Sequence, residues 1–203
     1  NKGGHSSIPR KDNAIYDLAR ALKKLEDYQF PISFNDTTQQ YLEFAITKLP
    51  KDDSKKLRKL LDVGENFKYL DLINENPDLN AQLRTTCVAT RLSGGHANNA
   101  LPVSASATIN CRVLPQEEPQ KIVDMIQKIV GSDIEISMVW VPEGSPPSPV
   151  TLEIMNLIGN SLKNVFPKAA IVPYMSTGAT DAQALRNVGI PVYGTSGIMT
   201  DPS

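Results

Sequence analysis

Metal-binding side chains are scarce in this sequence. Its 203 residues include only two histidines, His5 and His96, and two cysteines. No His-x-Asp and no His/Cys cluster with metal-ligand spacing occurs, so the chain by itself is not expected to bind metal. An excess of charge is missing too: 21 Lys and Arg offset 22 Asp and Glu, for a net charge of −1. That balance creates no global field to recruit nucleic acid or an anionic membrane. Long hydrophobic runs are absent; uncharged stretches such as Ala97–Asn110 carry polar residues throughout and are too short to span a bilayer. The opening Asn1-Lys2-Gly3-Gly4 is not the charged and then apolar start of a secretory signal. The basic run Lys55, Lys56, Arg58 and Lys59 has acidic flanks and no interleaved aromatic residues. It reads as a solvated helix face and not as a stacking platform for nucleic acid.

What is present is an ordinary globular composition, 40% hydrophobic and 21% charged, long enough for one large or two small domains with a real core. Because the chain begins and ends abruptly inside motifs, it is expected to be a fragment. Cys87 and Cys111 sit in two strand-like runs flanking one loop, centred near Asn99. They are expected as two small buried residues, cross-strand disulfides being uncommon, although a ladder can bring them close.

Hydrophobic periodicity predicts a helix over Asn13–Tyr28, with Asp12 as its N-cap and Ile15, Leu18, Leu22 and Leu25 on one face. An irregular helical pattern runs from Thr37 to about Leu83 and reads as an insertion. Arg84–Leu92 and Val103–Leu114, rich in Thr, Val, Ala and Ile, predict a hairpin around the Gly- and Asn-containing loop Ser93–Pro102. A helix over Glu117–Val130 stops at Gly131, and Asp133–Val141 alternates like a half-buried strand. With a strand through Gly3–Ser7, the order is β-α-(insertion)-β-β-α-β, an α+β split βαβ (ferredoxin-like) two-layer domain. Pro142–Pro149 then reads as a rigid, unpaired linker, with a domain boundary at 144/145. Beyond it a helix at Thr151–Phe166 capped by Ser148, a strand at Ala169–Val172, a helix at Thr180–Val188 and a strand at Ile190–Tyr193 predict part of a parallel α/β sheet.

Three loop motifs carry polar side chains on sharp turns: GGHSSIP at Gly3–Pro9, NALP at Asn99–Pro102 and STGATDA at Ser176–Ala182. His5, behind two glycines, can donate to developing negative charge or shuttle a proton; equally it can be a surface turn histidine. Asn99 presents an amide from a loop end or simply makes a turn. Arg112, in an otherwise apolar strand, either meets solvent or forks onto a carboxylate. Gly178, Thr180 and Asp181 place a turn before a helix, where N–H groups can seat a carboxylate while Thr180 caps. His96 has no suggested partner nearby.

In order and together, these motifs resemble the zinc-dependent aminoacylase/carboxypeptidase family, which includes carboxypeptidase S, the glutamate carboxypeptidases and succinyl-diaminopimelate desuccinylase. The GGHSSIP segment is similar to the start of the family's peptidase dimerisation, or lid, domain. NALPVSASATINCRVLP resembles its second lid motif, and STGATDAQALRNVGIPVYG its C-terminal catalytic segment. The insertion followed by Arg84-Thr85-Thr86 points to the carboxypeptidase S and N-fatty-acyl-amino-acid hydrolase branch.

The resemblance implies a lid domain at 1–144, its helical insertion at about 37–83, and a truncated piece of the catalytic α/β domain at 145–203. It implies hydrolysis of the amide bond of an N-acyl amino acid or a peptide bearing a free carboxylate, by a homodimer joined through the lid. Two zinc ions are implied for the full-length enzyme. Their ligands, among them a His-x-Asp, a Glu-Glu pair and a late His, are expected outside these residues, leaving the fragment without zinc and inactive. Lid roles carry over to His5 and Asn99 at the scissile group, acting in trans, and to Arg112 at the substrate carboxylate. Gly178, Thr180 and Asp181 are expected at the same carboxylate end. The alternative from another class is a non-catalytic dimerisation or amino-acid-binding module, since fold alone does not assign chemistry.

Overall fold

A computed structural model describes residues 1–64, 70–140 and 144–195. The fold is α+β, and the chain divides into two units, Asn1–Pro31 with Arg84–Gly144, and Ile32–Leu83 with Ser145–Ser203.

In the first unit, α1 (Ala14–Asp27) starts where the Asn13 side chain accepts from the N–H groups of Ile15 and Tyr16. The expected cap, Asp12, lies one residue too early, and Arg10 engages both its carboxylate oxygens at 2.9 Å. Leu18, Ala21 and Leu25 are buried along α1. Helix α6 (Pro119–Val130) opens on a proline in its first turn and stops at Gly131, whose φ of 98° favours glycine. It packs against α1 and adds Ile122 and Ile126 to a core with Leu25 and Phe30. Each such side chain contributes roughly 1.5–3 kcal/mol by leaving water.

Among the described residues, four strands form two separate two-stranded antiparallel sheets: β1 (Gly4–His5) pairs with β3 (Ala100–Leu101), and β2 (Thr86–Gly94) with β4 (Ala105–Arg112). Burial along β4 alternates residue by residue, as a one-sided sheet demands. A register shift between Ala89 and Arg91 bulges β2. Cys87 and Cys111 are register partners and form a disulfide with their Cα atoms 4.1 Å apart. The expectation of two unbonded cysteines is therefore corrected: the ladder sets them directly opposite, and opposed antiparallel residues bring their side chains together. Of the strand expected at Asp133–Val141, residues 133–140 form no strand, although Ile136 still packs on the core; Val141 lies outside the described residues, as do Pro142 and Glu143.

The second unit gathers the insertion and the C-terminal segment. Its insertion comprises α2 (Asp36–Ile46), α3 (Lys51–Val63), α4 (Asp71–Asn74) and α5 (Pro77–Leu83). Their core contains Leu42, Leu57, Leu60, Ile73 and Leu83, each at most 3% exposed. Lys55, Lys56, Arg58 and Lys59 lie exposed on the other side of α3. Beyond residue 144, α7 (Leu152–Leu162) is capped by Thr151 and not by Ser148. The Ser148 hydroxyl instead accepts from the Val192 N–H and donates to the Val192 carbonyl, at 2.9 and 2.8 Å. The expected unpaired linker is thus tied at this point. Helix α8 (Ala182–Asn187) has six residues. The strands expected at Ala169–Val172 and Ile190–Tyr193 do not form among the described residues. A strand needs a partner for its N–H groups, and Pro191 has none to offer.

Candidate functional site

Two glycines create the first loop. Gly3 has φ 70° and Gly4 φ 150°, and a Cβ on Gly3 would meet Val103 Cγ2 at 3.1 Å. Only glycine holds this path comfortably. It leads into the β1–β3 pairing, in which His5 opposes Ala100 and the Ser6 N–H donates to the Asn99 carbonyl at 2.8 Å.

This pairing brings together two residues separated by 94 positions: His5 Nε2 lies 3.4 Å from the Asn99 side-chain amide nitrogen. On the other edge of the ring, Nδ1 lies 2.8 Å from Ser7 Oγ and accepts from the Ser7 N–H at 3.2 Å. An Nδ1 that accepts leaves the proton on Nε2, and Asn99 then turns its oxygen toward the ring. The opposite tautomer donates from Nδ1 to Ser7 Oγ and accepts the Asn99 amide at Nε2. Ser7 and Asn99 therefore set the tautomer from opposite sides. Ser7 carries no role from its residue type alone; its place two residues after His5 in the same turn is the signal that identifies it. All three side chains are exposed.

Arg112 closes β4 on the exposed side of its alternation, in a different sheet from His5. His96 is exposed and lines a polar groove of about 190 Å³ with residues from Ser93–Gly95 and Pro102–Ser106, a groove that includes neither His5 nor Asn99. Gly178, Thr180 and Asp181 belong to the second unit. There the Gly178 N–H donates to Ser176 Oγ and the Ala182 N–H to Thr180 Oγ1, both at 3.3 Å. Two donors expected to be free for a carboxylate thus have local partners. Asp181, not Thr180, occupies the cap position, without a side-chain cap bond.

The implied metal pair finds no fit here. Among the described residues, no three His, Cys, Asp or Glu side chains gather as a metal would require. The chain does contain one Glu-Glu pair, Glu117-Glu118. The Glu117 carboxylate accepts the buried Thr85 hydroxyl, and Glu118 precedes α6 and pairs with Lys121 at 3.2 Å. Both serve the fold.

A model of the peptidase dimerisation domain matches residues 1–136. The chain belongs to this family of M20 peptidases. The M20 chain is 30% identical over 190 residues to a probable carboxypeptidase S-like 2 of Dictyostelium discoideum, covering 92% of this chain and 36% of that protein. It is 28% identical over 196 residues to the human N-fatty-acyl-amino acid synthase/hydrolase PM20D1, covering 94% and 38%. It thus spans well under half the length of these curated relatives. The M20 family metallo-carboxypeptidase Sso-CP2 of Sulfolobus solfataricus shares the fold, with a TM-score of 0.54 at 18% identity, over 90% of this chain and 50% of that one. Family membership brings metal-dependent hydrolases as relatives; no membrane-spanning helix occurs among the described residues of this M20 chain.

Proposed function

We propose that these residues belong to a metal-dependent amidohydrolase or exopeptidase that cleaves an amide bond in an N-acyl amino acid, or a peptide, bearing a free carboxylate. The observation that carries this reading is the 3.4 Å approach of His5 and Asn99 across the β1–β3 pair. As water adds to the scissile carbonyl, negative charge collects on its oxygen. The His5 Nε2–H and the Asn99 amide donate to that charge, and Ser7 holds the His5 ring. Arg112 pairs with the substrate carboxylate, and Gly178, Thr180 and Asp181 orient that end of the substrate. The two zinc ions implied by the resemblance, and the activation of water, belong to other parts of the whole protein.

In this reading residues 1–144 form the lid, a split βαβ sandwich carrying the insertion at about 37–83, and 145–203 form part of the catalytic domain. The packing of α1 on α6 supports the sandwich. The protein works as a homodimer, with the lid of one copy serving the site of the other. Strand β2 favours this arrangement: it lies at the edge of its sheet and exposes Val88 and Leu92, at 58% and 71%.

The test is hydrolysis of N-acyl amino acids and dipeptides by the whole protein, with and without chelator. His5→Ala is expected to lower kcat by about 10²–10³ with little change in KM. Mixing His5→Ala subunits with subunits lacking the general base should restore part of the activity, because each supplies what the other lacks. A stable dimer that hydrolyses nothing would establish the alternative, a non-catalytic dimerisation or amino-acid-binding module.

A further inference from the structure

The insertion is more than an ornament on the second unit, because it grips the chain just before the 176–181 turn. Asn35 is the pivot. Its side-chain oxygen accepts the Thr38 N–H at 3.0 Å, while its own N–H donates to Thr38 Oγ1 at 3.0 Å, a reciprocal cap for α2. This leaves the Asn35 Nδ2 group, which donates to Met175 Sδ at 3.4 Å, 140 residues away in sequence. Farther along α2, the Tyr41 ring meets Tyr174 edge-on, with centroids 5.5 Å apart and planes at 77°. Residues 174 and 175 are thus held by α2, and Ser176, whose hydroxyl accepts the Gly178 N–H, comes next.

A further contact lies just upstream in the same segment. A Cβ on Gly159 of α7 would lie 3.6 Å from Ile171 Cγ1, so α7 closely approaches this stretch of chain. Burial, the negative charge of Asp78 on α5 and the Tyr41 phenol together raise the Tyr174 hydroxyl above its ordinary pKa. The anchor on α2 is itself rigid, since Thr38 and Leu42 are each 1% exposed.

We infer that the helical insertion is a positioning element for the 176–181 turn, acting through Asn35 on Met175 and Tyr41 on Tyr174. The consequence for activity rests on the proposal that this turn orients the substrate carboxylate. Asn35 and Tyr41 do not touch substrate; they fix the path of the chain that does.

Hydrogen exchange in the whole protein reads the turn directly, at amides 177–182, with α7 amides as internal references. Tyr41→Ala and Asn35→Asp should speed exchange in the turn between about two- and tenfold, the range of an edge-on aromatic pair, without changing the reference amides. Asn35→Asp is informative because aspartate keeps the cap acceptor and loses the amide donor. Tyr41→Phe retains the ring and should behave as the parent. Tyr174→Ala removes the same pair from its exposed side and replaces Tyr41→Ala if the latter does not fold.

The same variants should raise KM for substrates with a free carboxylate by a matching factor, leave kcat within about twofold, and leave KM for the carboxamide analogue unchanged. Faster exchange with an unchanged KM supports the positioning role and overturns the proposed use of the turn. Unchanged exchange in both Asn35→Asp and the aromatic variants, with the protein folded, overturns the inference itself.

Discussion

Asn13 illustrates how much a single side chain does here. It is 8% exposed, and its oxygen serves two N–H groups at the start of α1. Asn13→Ala should cost about 1 kcal/mol, read as a lower denaturation midpoint, whereas Asn13→Asp should keep most of the stability. Asp12→Ala should cost less than Asn13→Ala, and a larger loss would restore Asp12 as the cap. The sequence predicts the cap at Asp12 and counts Asn13 as the first helical residue; the structure moves the cap one residue on, with Asp12 engaged by Arg10. His5 and Asn99 were legible as loop residues, but their meeting was not, because it depends on pairing across 94 residues. Arg112 was legible as an arginine that either meets solvent or finds an anion, and the sheet turns it outward.

At the scale of elements, helices followed the sequence closely because their hydrogen bonds are local. The predicted period of Ile15, Leu18, Leu22 and Leu25 finds α1, although the buried face is Leu18, Ala21 and Leu25 with Ile15 exposed, and the Pro119 and Gly131 boundary signals bound α6. Strands depend on partners from elsewhere. The β2–β4 hairpin formed because both partners flank one loop, while Ile190–Tyr193 remained irregular and was tied through the Ser148 hydroxyl instead. The disulfide follows from the hairpin register and closes a separation of 24 residues. Replacing Cys87 and Cys111 together by alanine should cost about 3 kcal/mol by the loop-entropy relation, measured by denaturant unfolding of oxidised protein. Equal stability of the two forms would show that the hairpin already restricts the unfolded chain, or that the thiols are not paired in solution.

At the scale of the whole molecule, each unit leaves large apolar side chains at its surface: Val88 and Leu92 of β2 in the first, and Leu152 and Leu157 of α7, at 83% and 62% exposure, in the second. Exposed apolar groups on an edge strand suit an interface. Leu92→Lys places a desolvated charge at the proposed contact between copies. It should turn the dimer into a monomer in sedimentation while leaving the melting temperature of the monomer's fold within a few degrees. A dimer that survives this substitution would move the interface away from β2.

The sequence by itself determined the helices, the hairpin, the glycine-dependent loop at His5 and, through three spaced motifs, the family. These rest on local periodicity, turn chemistry and residue identity, all written along the chain. Tertiary structure alone decided that His5 meets Asn99, that Cys87 bonds to Cys111, that Asn13 caps α1, and that α2 holds the segment before the 176–181 turn. Each of these depends on which side chain fills a place first. That competition is settled by packing and strand register between residues far apart in sequence, and a local pattern carries no record of it.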